Sequence, residues 1–126
     1  MVRYFLDSDV IIWFLSGREV TVNLVNRLAE NTWLSCSVLN MSEILMGTRS
    51  TEQKVTEDLI NSLKVYPVTK EIALLASLYL KKYSNRGVGF VDAHIAATCV
   101  LNHLVLVTYD KKHYPMPELE VYTATN

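Results

Sequence analysis

Short apolar runs alternate along this chain with longer stretches in which apolar residues recur every three or four positions. Val2 to Leu6, Thr32 to Cys36 and Leu104 to Val107 are runs of strand length. Lys64 to Val68 is another, broken by Pro67, and Glu120 to Thr123 is a candidate last strand beyond Pro115 and Pro117. The stretches between them have helical spacing. Asp9 to Leu15 begins a helix that Ser16-Gly17 stops. Val20 to Glu30 carries an apolar stripe at Val22, Leu24, Val25 and Leu28. Ser37 suits the N-cap of a helix to about Met46, with Gly47 past its end. Glu52 to Leu63 places Val55, Leu59, Ile60 and Leu63 on one face. Thr69 caps a strongly amphipathic helix to about Tyr83, and Gly87-Val88-Gly89 turns the chain into a helix from Phe90 to Asn102.

Strands alternating with helices predict an α/β fold, with a mainly parallel sheet of four or five strands covered on both faces. Strand one is expected at its centre, flanked by the strands containing Leu34 and Leu106. There is no linker, repeat or low-complexity tract, so residues 1–126 read as one domain.

The pattern acquires chemistry at four acids. Asp7 ends Tyr4-Phe5-Leu6, Glu43 lies inside an apolar helix, Asp92 opens Ala93-His94-Ile95-Ala96-Ala97, and Asp110 closes Leu104 to Tyr109. Ligands of a parallel sheet bind beyond the carboxyl ends of its strands, and all four acids can reach that rim. Isolated carboxylates amid apolar residues are costly unless paired, and a hard divalent cation is a fitting partner. Near such a cation they support phosphate-ester hydrolysis, because the metal polarises the phosphoryl oxygen and acidifies a bound water. Asp92 also gains from the positive end of its helix.

Composition narrows the reading further. Half the residues are hydrophobic and a fifth are charged, an ordinary globular balance. No apolar run approaches membrane-span length, and the N-terminus turns acidic too soon for a signal peptide, which points to the cytoplasm and no membrane. Cys36 and Cys99 lie far apart and read as small buried hydrophobes. The net charge is −1; without the four acids, 12 basic residues face 9 acidic ones (13 less 4), a balance compatible with a polyanionic partner.

The residues around the acids carry a resemblance. Leu6-Asp7-Ser8-Asp9-Val10-Ile11-Ile12 resembles the opening motif of PIN-domain ribonucleases, especially the VapC-type toxins of toxin–antitoxin pairs. Ser42-Glu43-Ile44-Leu45-Met46-Gly47 resembles their second acidic motif, Asp92-Ala93-His94-Ile95-Ala96-Ala97-Thr98 the third, and Leu106 to Tyr114 the closing one. The likeness spans nearly the whole chain, in the family's order. It implies a PIN-like α/β/α sandwich and RNA hydrolysis by an activated water. It also implies Mg2+ or Mn2+ held by Asp7, Glu43 and Asp92, with Asp110 as the fourth acid. Ser8 and Thr108 would orient the carboxylates or a metal-bound water. The family usually has Asn at position 9 and often at 110, so Asp9 is read as a helix N-cap in preference to a ligand.

The resemblance further implies a homodimer and a cognate antitoxin, whose Arg could pair with the acids. Trp13, Phe14 and Leu15 are expected at the dimer or partner surface, or else in the core. Arg49, Arg86, Lys111 and Lys112 are candidates for RNA phosphate contacts. Trp13 and Trp33 read as core or interface residues. His113, close to Asp110 in sequence, is read either as a phosphate contact or as an exposed turn residue, whereas His94, about 200° round its helix from Asp92, is expected to be structural or peripheral. Three other readings compete. Asp7-Ser8-Asp9 also resembles a haloacid-dehalogenase-type phosphatase motif, but the Gly-Asp that family requires occurs nowhere. A receiver would need a phospho-acceptor Asp after a middle strand, and Val65-Tyr66-Pro67-Val68 offers none. A non-catalytic binding protein on the same fold is opposed by the intact acid set.

Overall fold

The computed structural model describes residues 1–125. The chain runs β1 (Tyr4–Leu6), α1 (Ser8–Leu15), α2 (Glu19–Leu28), β2 (Leu34–Ser37), α3 (Val38–Gly47), α4 (Gln53–Ser62), β3 (Lys64–Tyr66), α5 (Lys70–Tyr83), α6 (Phe90–Leu101), β4 (Val105–Thr108) and β5 (Val121–Thr123). Single 3-10 turns lie at Ser50–Glu52, Ser84–Arg86 and Lys111–His113. The five strands form one sheet in the order β3-β2-β1-β4-β5, and every pairing is parallel. β1 is central between the strands of Leu34 and Leu106, as the sequence pattern predicts.

Alternation along each strand divides the interior in two. Phe5 and Leu106, in register, face α5 and α6, where Ile72, Ala76, Tyr79 and Ile95, with Tyr66 of β3, complete the core. Leu6 and Val107, also in register, face the other way, towards Val10, Ile11, Leu24, Val25 and Ile44 of α1 to α3. The strands are buried on both faces and therefore read as continuous apolar runs. α6 is buried from Ala93 to Cys99 and is rich there in small residues, with Ala93, Ala96, Ala97 and Cys99 all inaccessible, so it can pack closely against α5.

The helix signals act largely as expected. Ser37 closes β2 and caps α3, its Oγ accepting from the Leu39 N–H at 3.1 Å. Thr69 Oγ1 accepts from the Ile72 N–H and starts α5. Ser16 ends α1, and Gly17 follows in the left-handed region at φ +80°, where a side chain would be strained. Both cysteines are buried.

Other expectations require correction. Asp9 is not the N-cap of α1; Asp7 is, because the strand ends one residue before it and its carboxylate accepts from the Ser8 N–H. Gly47 is the last residue of α3 and Thr48 its cap. In α4 the buried position is Thr56, so Val55 is exposed and Leu63 lies past the helix end. Trp33 is 40% exposed, with Arg3 and Lys64 over its ring, and so is no core residue. Trp13 is held between Tyr109 and the Arg18 guanidinium, while Phe14 and Leu15 pack partly against the core. The freely exposed apolar residues in this region are Ile12, Leu45 and Met46.

Candidate active site

Asp7 leaves β1 directly into α1, and its N–H donates to the Val107 carbonyl at 3.0 Å. β1 and β4 therefore end side by side. Asp7 Oδ1 accepts from the Ser8 N–H at 2.8 Å. Asp7 Oδ2 accepts twice, from Thr108 Oγ1 at 2.8 Å and from the Tyr114 hydroxyl at 2.9 Å. The same hydroxyl lies 3.5 Å from Asp92 Oδ1. Asp92 stands in the first turn of α6, and its Oδ2 accepts from the Gly89 N–H at 3.1 Å. His113 sits between Asp92 and Asp110, its ring nitrogens 3.8 and 3.3 Å from one oxygen of each. Asp110 returns its N–H to Thr108 Oγ1 at 3.1 Å. Ser8 Oγ donates to Glu43 Oε1 at 2.8 Å. All four acids thus belong to one connected set of hydrogen bonds and close polar contacts at the carboxyl ends of the strands.

Glu43 arrives there through an unanticipated residue. Asn40, fully buried, donates from Nδ2 to the Leu6 carbonyl at 2.9 Å and accepts the Ser37 N–H. It stitches α3 to the ends of β1 and β2, one turn before Glu43. A lone amide in the apolar run Val38-Leu39-Asn40-Met41 was its signal in the sequence. Tyr114 was also missed, because an aromatic after the last acid reads as packing.

The electrostatics are those of a strained carboxylate cluster. Burial pushes the Asp7 carboxyl above its ordinary range, and its three donors oppose that rise while the Asp92 charge adds to it. Burial and then the Asp7 charge raise Asp9 to about 6. Asp9 Oδ2 accepts from the Tyr109 N–H at 3.2 Å, tying α1 to β4 beside the site. Asp9 Oδ1 and Asp110 Oδ1 are buried without a partner. His94 is buried elsewhere, its Nδ1 2.8 Å from the Phe90 carbonyl and its ring against Phe90, in keeping with its helical phase.

Oxygen-only donors, burial-raised carboxyls and orphaned carboxylate oxygens fit a hard divalent cation. Among the described residues, no three His, Cys, Asp or Glu side chains converge closely enough to hold a metal ion as they stand.

The surroundings differ in character. Arg86, Lys111 and Lys112 gather around a recess walled by Tyr114, Pro115 and Met116. On the opposite flank, a groove of about 500 Å3 lies between α1 and α3, lined by Ile12, Leu15, Glu43, Ile44, Gly47 and Arg49 among others.

This geometry is a cluster of carboxylates at the carboxyl ends of the strands of a parallel α/β sheet. Residues 4–119 match the PIN domain family model, and the chain belongs to that family. Ribonuclease VapC10 of Mycobacterium tuberculosis is 32% identical over 115 residues, covering 90% of this chain and 86% of that protein. Ribonuclease VapC19 of the same organism is 29% identical over 119 residues, covering 91% and 95%. DNA-bound VapBC from Salmonella typhimurium shares the fold with a TM-score of 0.83 at 19% identity, over 99% of this chain and 100% of that one. PIN-domain ribonucleases are in general divalent-metal dependent. No helix among the described residues is long and apolar enough to cross a membrane.

Proposed function

We propose that residues 1–126 form a single PIN domain acting as a divalent-metal-dependent endoribonuclease, the toxin of a toxin–antitoxin pair that inhibits translation. The observation that carries this reading is the joining of Asp7, Glu43, Asp92 and Asp110, from four separate segments, through Ser8, Thr108, Tyr114 and His113. The four acids hold the cation, Mg2+ or Mn2+, and Ser8 and Thr108 hold the carboxylates in place. When bound, the ion supplies phosphoryl polarisation and a more acidic water. Asp7 is fixed by three donors and cannot swing away as the substrate arrives. Glu43 is steadied by Ser8 alone and sits on an exposed stretch of α3, which leaves it free to adjust to RNA. Arg86, Lys111 and Lys112 contact phosphates of the strand beyond Tyr114, and Arg49 does so on the other flank.

The chain works in the cytoplasm beside a cognate antitoxin. The apolar groove running up to Glu43 suits a segment of that partner, and an Arg entering from it would pair with the carboxylates in place of the cation. Homodimerisation is supported by Leu74 and Leu78, each 60% exposed one turn apart on α5. Brief expression followed by mapping of RNA 5′ ends tests the activity. Discrete cleavage that requires Asp92 supports it, and cleavage unaltered by Asp92→Asn rules it out. Co-expression with the neighbouring small protein should relieve growth inhibition, and light scattering at micromolar concentration should give twice the monomer mass.

A further inference from the structure

Tyr114 stands outside the acid set, yet its buried hydroxyl touches the most buried acid of the four. A carboxylate oxygen has two in-plane lone pairs with which to accept hydrogen bonds or meet a cation. Asp7 Oδ2 uses both, one for Thr108 Oγ1 at 2.8 Å and one for Tyr114 at 2.9 Å. Asp7 Oδ1 uses one, for the Ser8 N–H, and keeps the other. Asp7 can therefore offer a cation one oxygen without losing a bond, but two oxygens only by breaking one. The hydroxyl has little freedom to move aside, because Tyr114 is 3% exposed and its ring is packed in the core with Met116 and Leu119.

We infer that Tyr114 is a positioning residue that makes Asp7 a one-oxygen ligand and so selects the ion. Magnesium demands a compact, near-octahedral shell that the narrow bite of a two-oxygen carboxylate distorts, and manganese, though more tolerant, accepts the same shell. Calcium is larger, takes six to eight oxygens and often grips a carboxylate through both. Calcium at this site must either displace the Tyr114 bond or accept a poorer shell. The inference rests on the metal-dependent reading of the site, and its test separates the two.

The experiment is calorimetric titration of the metal-free protein with Mg2+, Mn2+ and Ca2+. The wild type should favour Mg2+ and Mn2+ relative to Ca2+. Tyr114→Phe keeps the ring and removes the donor. It should bring the Ca2+ to Mg2+ affinity ratio up by roughly tenfold, the size of one charge-assisted hydrogen bond that no longer has to break. Thr108→Val, which frees the other lone pair, should move the ratio the same way, and Thr108→Ser should leave it near wild type. Should a variant fold poorly, carboxylate difference infrared spectra of the wild type on Mg2+ addition provide the check: single-oxygen bands are expected, and two-oxygen bands at Asp7, identified by their loss in Asp7→Asn, would overturn the inference. An unchanged ratio in well-folded Tyr114→Phe would overturn it too. A wild type that binds none of the three ions defeats the metal-dependent reading itself.

Discussion

At the residue scale, the site combines few atoms with large opposing terms. Asp7 and Asp9 are both held above the ordinary carboxylate range, Asp9 at about 6. A group whose folded pKa exceeds its unfolded value binds more protons when folded, so stability falls as pH rises through the folded value. The metal-free protein should therefore be most stable below about pH 4 as far as these two groups decide it, and lose that increment as pH climbs through 6. Asp9→Asn should flatten this dependence and raise metal-free stability at pH 7 by about 1–2 kcal/mol, after a discount for the lost first-turn charge. Urea melts at pH 5 and pH 7.5 with a chelator present provide the check, and equal pH dependence in the two proteins would contradict the assignment. Asp7→Asn and Asp92→Asn should lower cleavage at least ~100-fold at matched metal, since a cation's transition-state stabilisation is worth several kcal/mol. Asp92→Asn should remain folded, because an amide keeps the carboxylate's shape and sheds repulsion; Asp7→Asn sheds repulsion too but turns its amide nitrogen towards the Thr108 and Tyr114 hydroxyls, which must rotate to accept. His94→Ala should instead cost stability, with its buried ring against Phe90 lost, and leave the chemistry comparatively intact.

At the element scale, the acids are only as well placed as the helix starts that carry them. Asn40 is the clearest case. Removing its amide strands the Leu6 carbonyl and the Ser37 N–H, and buried groups left unpaired cost about 1–3 kcal/mol each. Asn40→Ala is expected to destabilise the protein by roughly 2–4 kcal/mol on this basis, and to lower activity because α3 no longer holds Glu43 at the rim. Denaturant melts and cleavage rates together test this; an unchanged melt would mean the two bonds carry little. The strand–helix alternation, the caps at Ser37 and Thr69 and the central place of β1 could be read in advance, because each rests on a local pattern of apolar spacing or a capping side chain. The four acids were legible for a similar reason: each interrupts an apolar run. Asn40 and Tyr114 were not, because their value lies in partners 34 and 107 residues away, which no local window contains. The Asp9 error has the same root. Position 9 looks like a cap when the helix is taken to begin at or just after it, whereas the helix begins at Ser8, close behind the strand end at Leu6, and that role falls to Asp7.

At the scale of the whole molecule, the net charge of −1 hides a division of labour. Acidic groups converge at the strand ends, while Arg86, Lys111 and Lys112 collect in the adjacent recess, and none of the three appears in a salt bridge among the described residues. An RNA strand entering past Tyr114 meets those cations before its phosphodiester reaches the carboxylates. The cations offset the repulsion between RNA and the acids, so they should govern affinity more than chemistry. Neutralising a single-strand phosphate contributes about 0.7 to the slope of log affinity against log salt. Arg86→Ala, Lys111→Ala and Lys112→Ala combined should therefore reduce that slope by about 2 for a short single-stranded RNA. The KM should rise severalfold at physiological salt, while kcat changes little. Anisotropy titrations across a salt series with Asp92→Asn, which binds without cutting, isolate the slope, and steady-state cleavage gives the split between KM and kcat. A slope equal to that of the parent would move the RNA path to the Arg49 flank, between α1 and α3. A fall in kcat with KM unchanged would instead place these cations in the chemistry itself.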